Sequence, residues 1–98
     1  MNYRKVLHKY MIDKEGNVYN KHTKKIISPK IRRDRKRVRL YTWVNSTTNK
    51  CIWYDVAELL FFAFHPEYNK QQYKVVSRTG NYIDFTLDDL EAVEYETI

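Results

Sequence analysis

The sequence predicts an α+β fold: a small, mostly antiparallel sheet with one central helix packed on it. Three observations carry that reading. Short runs with period-two alternation, such as Tyr10-Met-Ile12 and Arg37–Trp43, are set apart by turn residues. One segment, from Val56 to Phe64, carries apolar residues at helical spacing. The chain of 98 residues is 43% hydrophobic and 31% charged, which suits one domain over 1–98 with a single modest core.

Each element has its own local cause. Tyr10-Met-Ile12 is a strand, Asp13–Gly16 a turn, and Asn17-Val-Tyr19 the returning strand. Lys25–Ser28 reads as a third short strand, stopped by Pro29. Arg32, Arg33, Arg35 and Lys36 form the hairpin turn that leads into Arg37–Trp43. On that strand Val38 and Leu40 face one way, and Arg37, Arg39, Tyr41 and Trp43 the other. Asn45–Lys50 is a polar loop, followed by a strand over Cys51–Tyr54. Asp55 and Glu58 fit a capping box that opens the helix, and Pro66 ends it. Val56, Leu59, Leu60, Ala63 and Phe64 form the helical stripe. Phe61 and Phe62 widen it, either into a helix buried on most sides or into a patch for a partner. Tyr73–Ser77 is a strand and Thr79-Gly-Asn81 a turn. Thr86–Asp89 is a second capping box, starting a short helical segment that reaches about Val93. Residues 94–98 form a loose acidic tail.

Charge is distributed unevenly. Residues 1–50 hold 15 of the 18 Lys+Arg and 3 of the 12 Asp+Glu, whereas residues 51–98 carry a net charge of −6. The basic half peaks at Lys30–Arg39, where Lys30, Arg32, Arg33, Arg35, Lys36, Arg37 and Arg39 face one acid, Asp34. Lys21, Lys24 and Lys25 extend the patch. Such a surface favours a polyanion, nucleic acid first, because each phosphate neutralised releases counterions. An acidic protein surface is the other partner of this class. The acidic half also allows self-association with the basic half of a second copy. Two placements are open for Tyr41 and Trp43: stacking platforms for bases, or a cap on the back of the core.

A single cysteine, Cys51, excludes an internal disulfide and any zinc site built on several thiolates, and fits a cytoplasmic location. The longest apolar run, Leu59–Phe64, is too short to span a bilayer, so no membrane partner is expected. Isolated glycines at 16 and 80 make no phosphate-cradling loop.

The order of motifs resembles that of phage HNH homing endonucleases. Tyr10-x-Ile12-Asp13-x-x-Gly16-Asn17-Val18-Tyr19, then Arg37-Val-Arg-Leu40, then a helix ending Ala63-Phe64-x-Pro66 match the module that precedes the HNH core. The match runs on through Ser77–Val93, so that it covers roughly residues 8–94, with Gly80, Leu90, Glu91 and Val93 in place. The resemblance implies a ββα-like C-terminal unit, here degenerate. Ser77 stands at the position of the family's base or metal-ligand histidine. Thr79 replaces the aspartate, Asp84 and Phe85 the paired asparagines, and Asp89 the late asparagine. Ala57 takes the place of a histidine at the start of the preceding helix.

HNH cleavage needs a histidine to activate water and a divalent ion beside the scissile phosphate, and serine is no general base near neutral pH. His8, His22 and His65 lie off the matched motif. Asp88 and Asp89 suit the first turn of a helix, where carboxylates are favoured, better than a metal site. The expectation is therefore a phage-derived nucleic-acid-binding protein, DNA ahead of RNA, with no catalytic residues, metal or other cofactor. Its binding residues are Lys24, Lys25, Lys30, Arg32, Arg33, Arg35, Lys36, Arg37, Arg39, Tyr41 and Trp43. Two alternatives stand beside it: a phage-encoded interaction module (an inhibitor or adaptor of host machinery, or a small virion component), and a residual metal-dependent nuclease using Asp84 or Asp89.

Overall fold

Three small antiparallel sheets share one helix. The computed structural model describes residues 3–7, 9–43 and 47–95. His8, the side chain of Trp43, part of the expected 45–50 loop and tail residues 96–98 lie outside the described residues.

The first sheet has strands β1 (Tyr3–Val6), β2 (Tyr10–Asp13) and β3 (Val18–Asn20) in sequence order. Its β2–β3 turn closes at Gly16, whose φ of +87° suits glycine and where a Cβ would come into van der Waals contact with Val56 and Leu60 of the helix. The Asp13 carboxylate organises this turn, accepting from the Glu15 and Asn17 amides, the Asn17 side chain and the Tyr19 hydroxyl. Partial desolvation alone would raise the Asp13 pKa. The hydrogen bonds outweigh it and hold the carboxyl below its ordinary value.

The second sheet joins β4 (Lys30–Arg32), β5 (Arg35–Trp43) and β6 (Asn49–Asp55). The helix α1 spans Val56–Phe64, as its spacing predicts. Asp55 caps it by accepting from the Ala57 amide at 3.0 Å, with the backbone in extended conformation. The third sheet pairs β7 (Tyr73–Ser77) with β8 (Leu90–Glu94). Ile12, Leu40 and Leu60 are fully buried, and with Val18, Val38 and Val56 they form the centre of a core shared by the first two sheets and α1. Phe61, also buried, packs on Tyr68 with the rings tilted and their centroids 5.4 Å apart, and Tyr68 meets Tyr73 edge-on at 5.0 Å. This aromatic chain ties α1 to β7. Of the two surplus phenylalanines, Phe61 is core and Phe62 is half-buried against it.

One strand is added to the expected set, and four expectations are corrected. β1 pairs with β2 in a segment with no strand signal. Lys25–Ser28 forms no strand: Ile26 makes an isolated bridge to Tyr19 and is 58% exposed, so it lacks an apolar face to bury. The hairpin turn narrows to Arg33 and Asp34, with φ of 53° and 61°, which leaves Arg32 in β4 and Arg35 and Lys36 in β5. The segment after the second capping box makes one 3-10 turn, Leu87–Asp89, and then becomes β8. Pairing with β7 and burial of Leu90 override the helical propensity of Leu-Glu-Ala there. The tail is also shorter than expected, since Glu94 pairs with Tyr73 and the Tyr95 amide donates to the Gln72 carbonyl at 2.8 Å.

Candidate nucleic-acid interface

The register of the second sheet determines what its outer face displays. Residues opposed across antiparallel strands share a face. Arg32 opposes Arg35, Lys30 opposes Arg37, Arg39 opposes Trp53, and Arg37 opposes Asp55. Val38 and Leu40 point into the core. The opposite face therefore collects Lys30, Arg32, Arg37, Arg39, Tyr41 and Trp53. Lys30, Arg32 and Arg39 are exposed, as is Tyr41 at 54%, so Tyr41 does not cap the core. The Tyr41 backbone amide instead donates to the Tyr10 hydroxyl, anchoring the strand to the first sheet. Arg33 sits at the exposed tip of the hairpin. Lys24 and Lys25 lie exposed in the segment after β3.

Two of the expected binding residues are engaged within the fold: Arg35, which shares this face, and Lys36, which lies on the other. Arg35 is half-buried: Nη1 lies 2.7 Å from the Asp55 carboxylate and its guanidinium is 3.9 Å from the Tyr82 ring centroid. Desolvation works against its charge, but the hydrogen bond it donates to Asp55 and the Asp55 charge outweigh it, so Arg35 is held more firmly protonated. The Lys36 amide donates to the Tyr82 carbonyl at 3.0 Å, so the same neighbour ties the basic strand to the C-terminal unit. The Lys36 side chain takes the core side of the alternation, 5.5 Å from the Phe85 ring.

Trp53 is the residue that sequence reasoning missed. Its signal was the alternation Cys51, Trp53, Asp55 on a strand that must pair with β5, which puts the indole opposite Arg39. The Arg32 guanidinium lies 4.8 Å from the indole centroid. Beside it Arg37 Nε is buried and has no hydrogen-bond partner.

The C-terminal unit contrasts with this face. Ser77 is buried; its hydroxyl is 3.0 Å from that of Thr79 and its amide donates to the Tyr82 hydroxyl. Asn81 accepts from the Ile83 and Asp84 amides. Asp89 accepts from the Thr86 amide in a complete capping box. Arg78 pairs with Glu91 at 3.4 Å. Among the described residues no three His, Cys, Asp or Glu side chains come together as a metal-binding group. No described helix is long and apolar enough to cross a membrane.

These strands, helix and terminal hairpin compose an HNH-endonuclease-like fold. No family model and no curated protein matches the chain. A solved structure does: that of the HNH homing endonuclease I-HmuI, described for its DNA binding and cleavage. It is similar with a TM-score of 0.70 at 21% sequence identity, over 96% of this chain and 53% of that one. The chain thus spans about half the length of the structure it resembles.

Proposed function

We propose that this protein is a non-catalytic, HNH-like nucleic-acid-binding protein of phage origin, working in the host cytoplasm. DNA lies along the outer face of β4–β6. The observation that carries the reading is the row Lys30, Arg32 and Arg39 beside Arg33, none of which has an ion-pair partner among the described residues. Arg37 completes the row, although it also lies near Glu58 and near Asp55, which Arg35 already engages. Cations without acidic partners of their own bind phosphate oxygens and fix register, while Tyr41 and Trp53 offer planes to bases. Resemblance to a DNA-cleaving endonuclease supports the same ligand class. The non-catalytic part rests on Ser77, whose hydroxyl stands at the matched histidine position and is engaged by Thr79.

Supercoiled plasmid incubated with the protein and magnesium or manganese tests both parts. The reading expects retarded migration of intact plasmid. Nicked circles that disappear in an Asp84→Ala/Asp89→Ala variant would replace it with the residual-nuclease reading, and unretarded plasmid at low salt would end it.

A further inference from the structure

The basic face is not a uniform strip. Arg32, Arg33 and Arg37 line one recess of about 250 Å³ together with Trp53, and no carboxylate lines it. Guanidinium groups that track a duplex are spread along it so that each meets its own phosphate. Three that share one small recess with an indole converge on a single anion that carries a ring. Arg37 Nε adds a second, independent observation. A buried donor without an acceptor is costly, and a small turn of the guanidinium toward the recess would give it one, an entering phosphate oxygen. Arg32 already lies over the indole, so the recess holds a planar cation on a planar ring, a pair onto which a nucleobase stacks.

We propose that this recess takes up one unpaired nucleotide, its phosphate held by Arg32, Arg33 and Arg37 and its base stacked on the Trp53–Arg32 pair. The inference rests on the nucleic-acid reading above and sharpens it: the protein distinguishes strands with accessible bases from fully paired duplex. A duplex keeps its bases stacked inside and offers the recess only phosphate.

The test uses the full chain with Trp43→Phe, so that Trp53 is the sole indole. It is titrated with a short oligothymidylate, with an abasic strand of the same length, and with a duplex. The expected result is quenching of Trp53 emission by oligothymidylate alone, and affinity for it about tenfold above the abasic strand, from one stacked base. Trp53→Ala in the same background, read by mobility shift, is expected to abolish the tenfold preference for oligothymidylate over the abasic strand. Circular dichroism and a cooperative thermal melt of that variant report independently that it is folded. Equal affinity for oligothymidylate and abasic strand, with emission unaltered, overturns the recess proposal and leaves the nucleic-acid reading standing. Failure of all three probes to bind at low salt overturns both.

Discussion

The outer face of β4–β6 and the β7–β8 hairpin are both rich in polar side chains, yet they are organised in opposite ways. Around the hairpin the polar groups engage one another: Ser77 with Thr79, Asn81 with two amides, Thr86 with Asp89, Arg78 with Glu91. On the sheet face the cations outnumber the available carboxylates, and Arg37 keeps a buried donor without an acceptor. A self-satisfied cluster stabilises the fold without a ligand, whereas a surplus of one charge on a rigid strand pair is the chemistry that attracts a polyanion. Under the proposed function the first is the structural end of the molecule and the second the binding end, although the matched sequence motif puts the enzyme family's chemistry at the former.

The contrast breaks most visibly under charge removal. Replacing Arg32, Arg33 and Arg39 together by Ala is expected to weaken DNA binding on the order of a hundredfold at low salt, each arginine contributing a charge-assisted phosphate contact. Ser77→Ala with Asp84→Ala is expected to leave binding unchanged in the same mobility-shift series. Comparable losses from both sets would erase the distinction between the two ends.

The link between the two ends comes next. Asp55 both caps α1 and holds Arg35 against Tyr82. Asp55→Ala is expected to cost about 2 kcal/mol in urea unfolding: about 1 for the cap, and the rest for the ion pair, discounted because the Arg35 side chain keeps 34% of its surface in water. Asp55→Asn keeps an oxygen for the Ala57 amide and should recover about half of that loss.

A smaller change sharpens the binding end. Arg33 and Asp34 both occupy left-handed backbone in a two-residue hairpin, where glycine is favoured at the second position. Asp34→Gly should stabilise the fold by about 0.5–1 kcal/mol in thermal melts. It should also strengthen DNA binding, since it removes the one acid in Lys30–Arg39.

The smallest effect lies outside both ends. Hydrogen bonds depress the Asp13 pKa in the folded chain, so the stability they confer is fully present above the ordinary value near 3.8 and is lost as pH falls through the lower folded value. Asp13→Asn should flatten that acid limb without changing DNA affinity at neutral pH. Glu58 acts in the opposite sense. Desolvation, then the Asp55 charge, raise its pKa, so the carboxylate is less favourable in the folded chain than in the unfolded one, and Glu58→Gln should raise stability slightly at neutral pH.

Much of this contrast could be read from the residues. Alternation assigned Val38 and Leu40 to the core and Arg37, Arg39 and Tyr41 to the outside because one face of that strand is fully buried. The helix was legible from its stripe and from Asp55 and Pro66. β4 was not, because Lys30, Ile31 and Arg32 are all exposed and carry no alternation, and their turn lacks Gly or Asn. β1 failed for a similar reason, with only Val6 of its residues buried. β8 was mistaken for helix because its local propensity is helical and only its long-range pairing makes it a strand. The pairing of Arg35 with Asp55 joins residues 20 apart in sequence, and no local pattern encodes it.

The account stands on one measurement: the slope of log affinity for DNA against log salt concentration, taken for the wild-type chain and for the Arg32→Ala/Arg33→Ala/Arg39→Ala variant. The expected result is a steep negative slope for the wild type that becomes shallower by about one to two units in the variant, since Arg39 meets its own phosphate while Arg32 and Arg33 share one. Identical slopes, or an affinity that does not respond to salt, would contradict it.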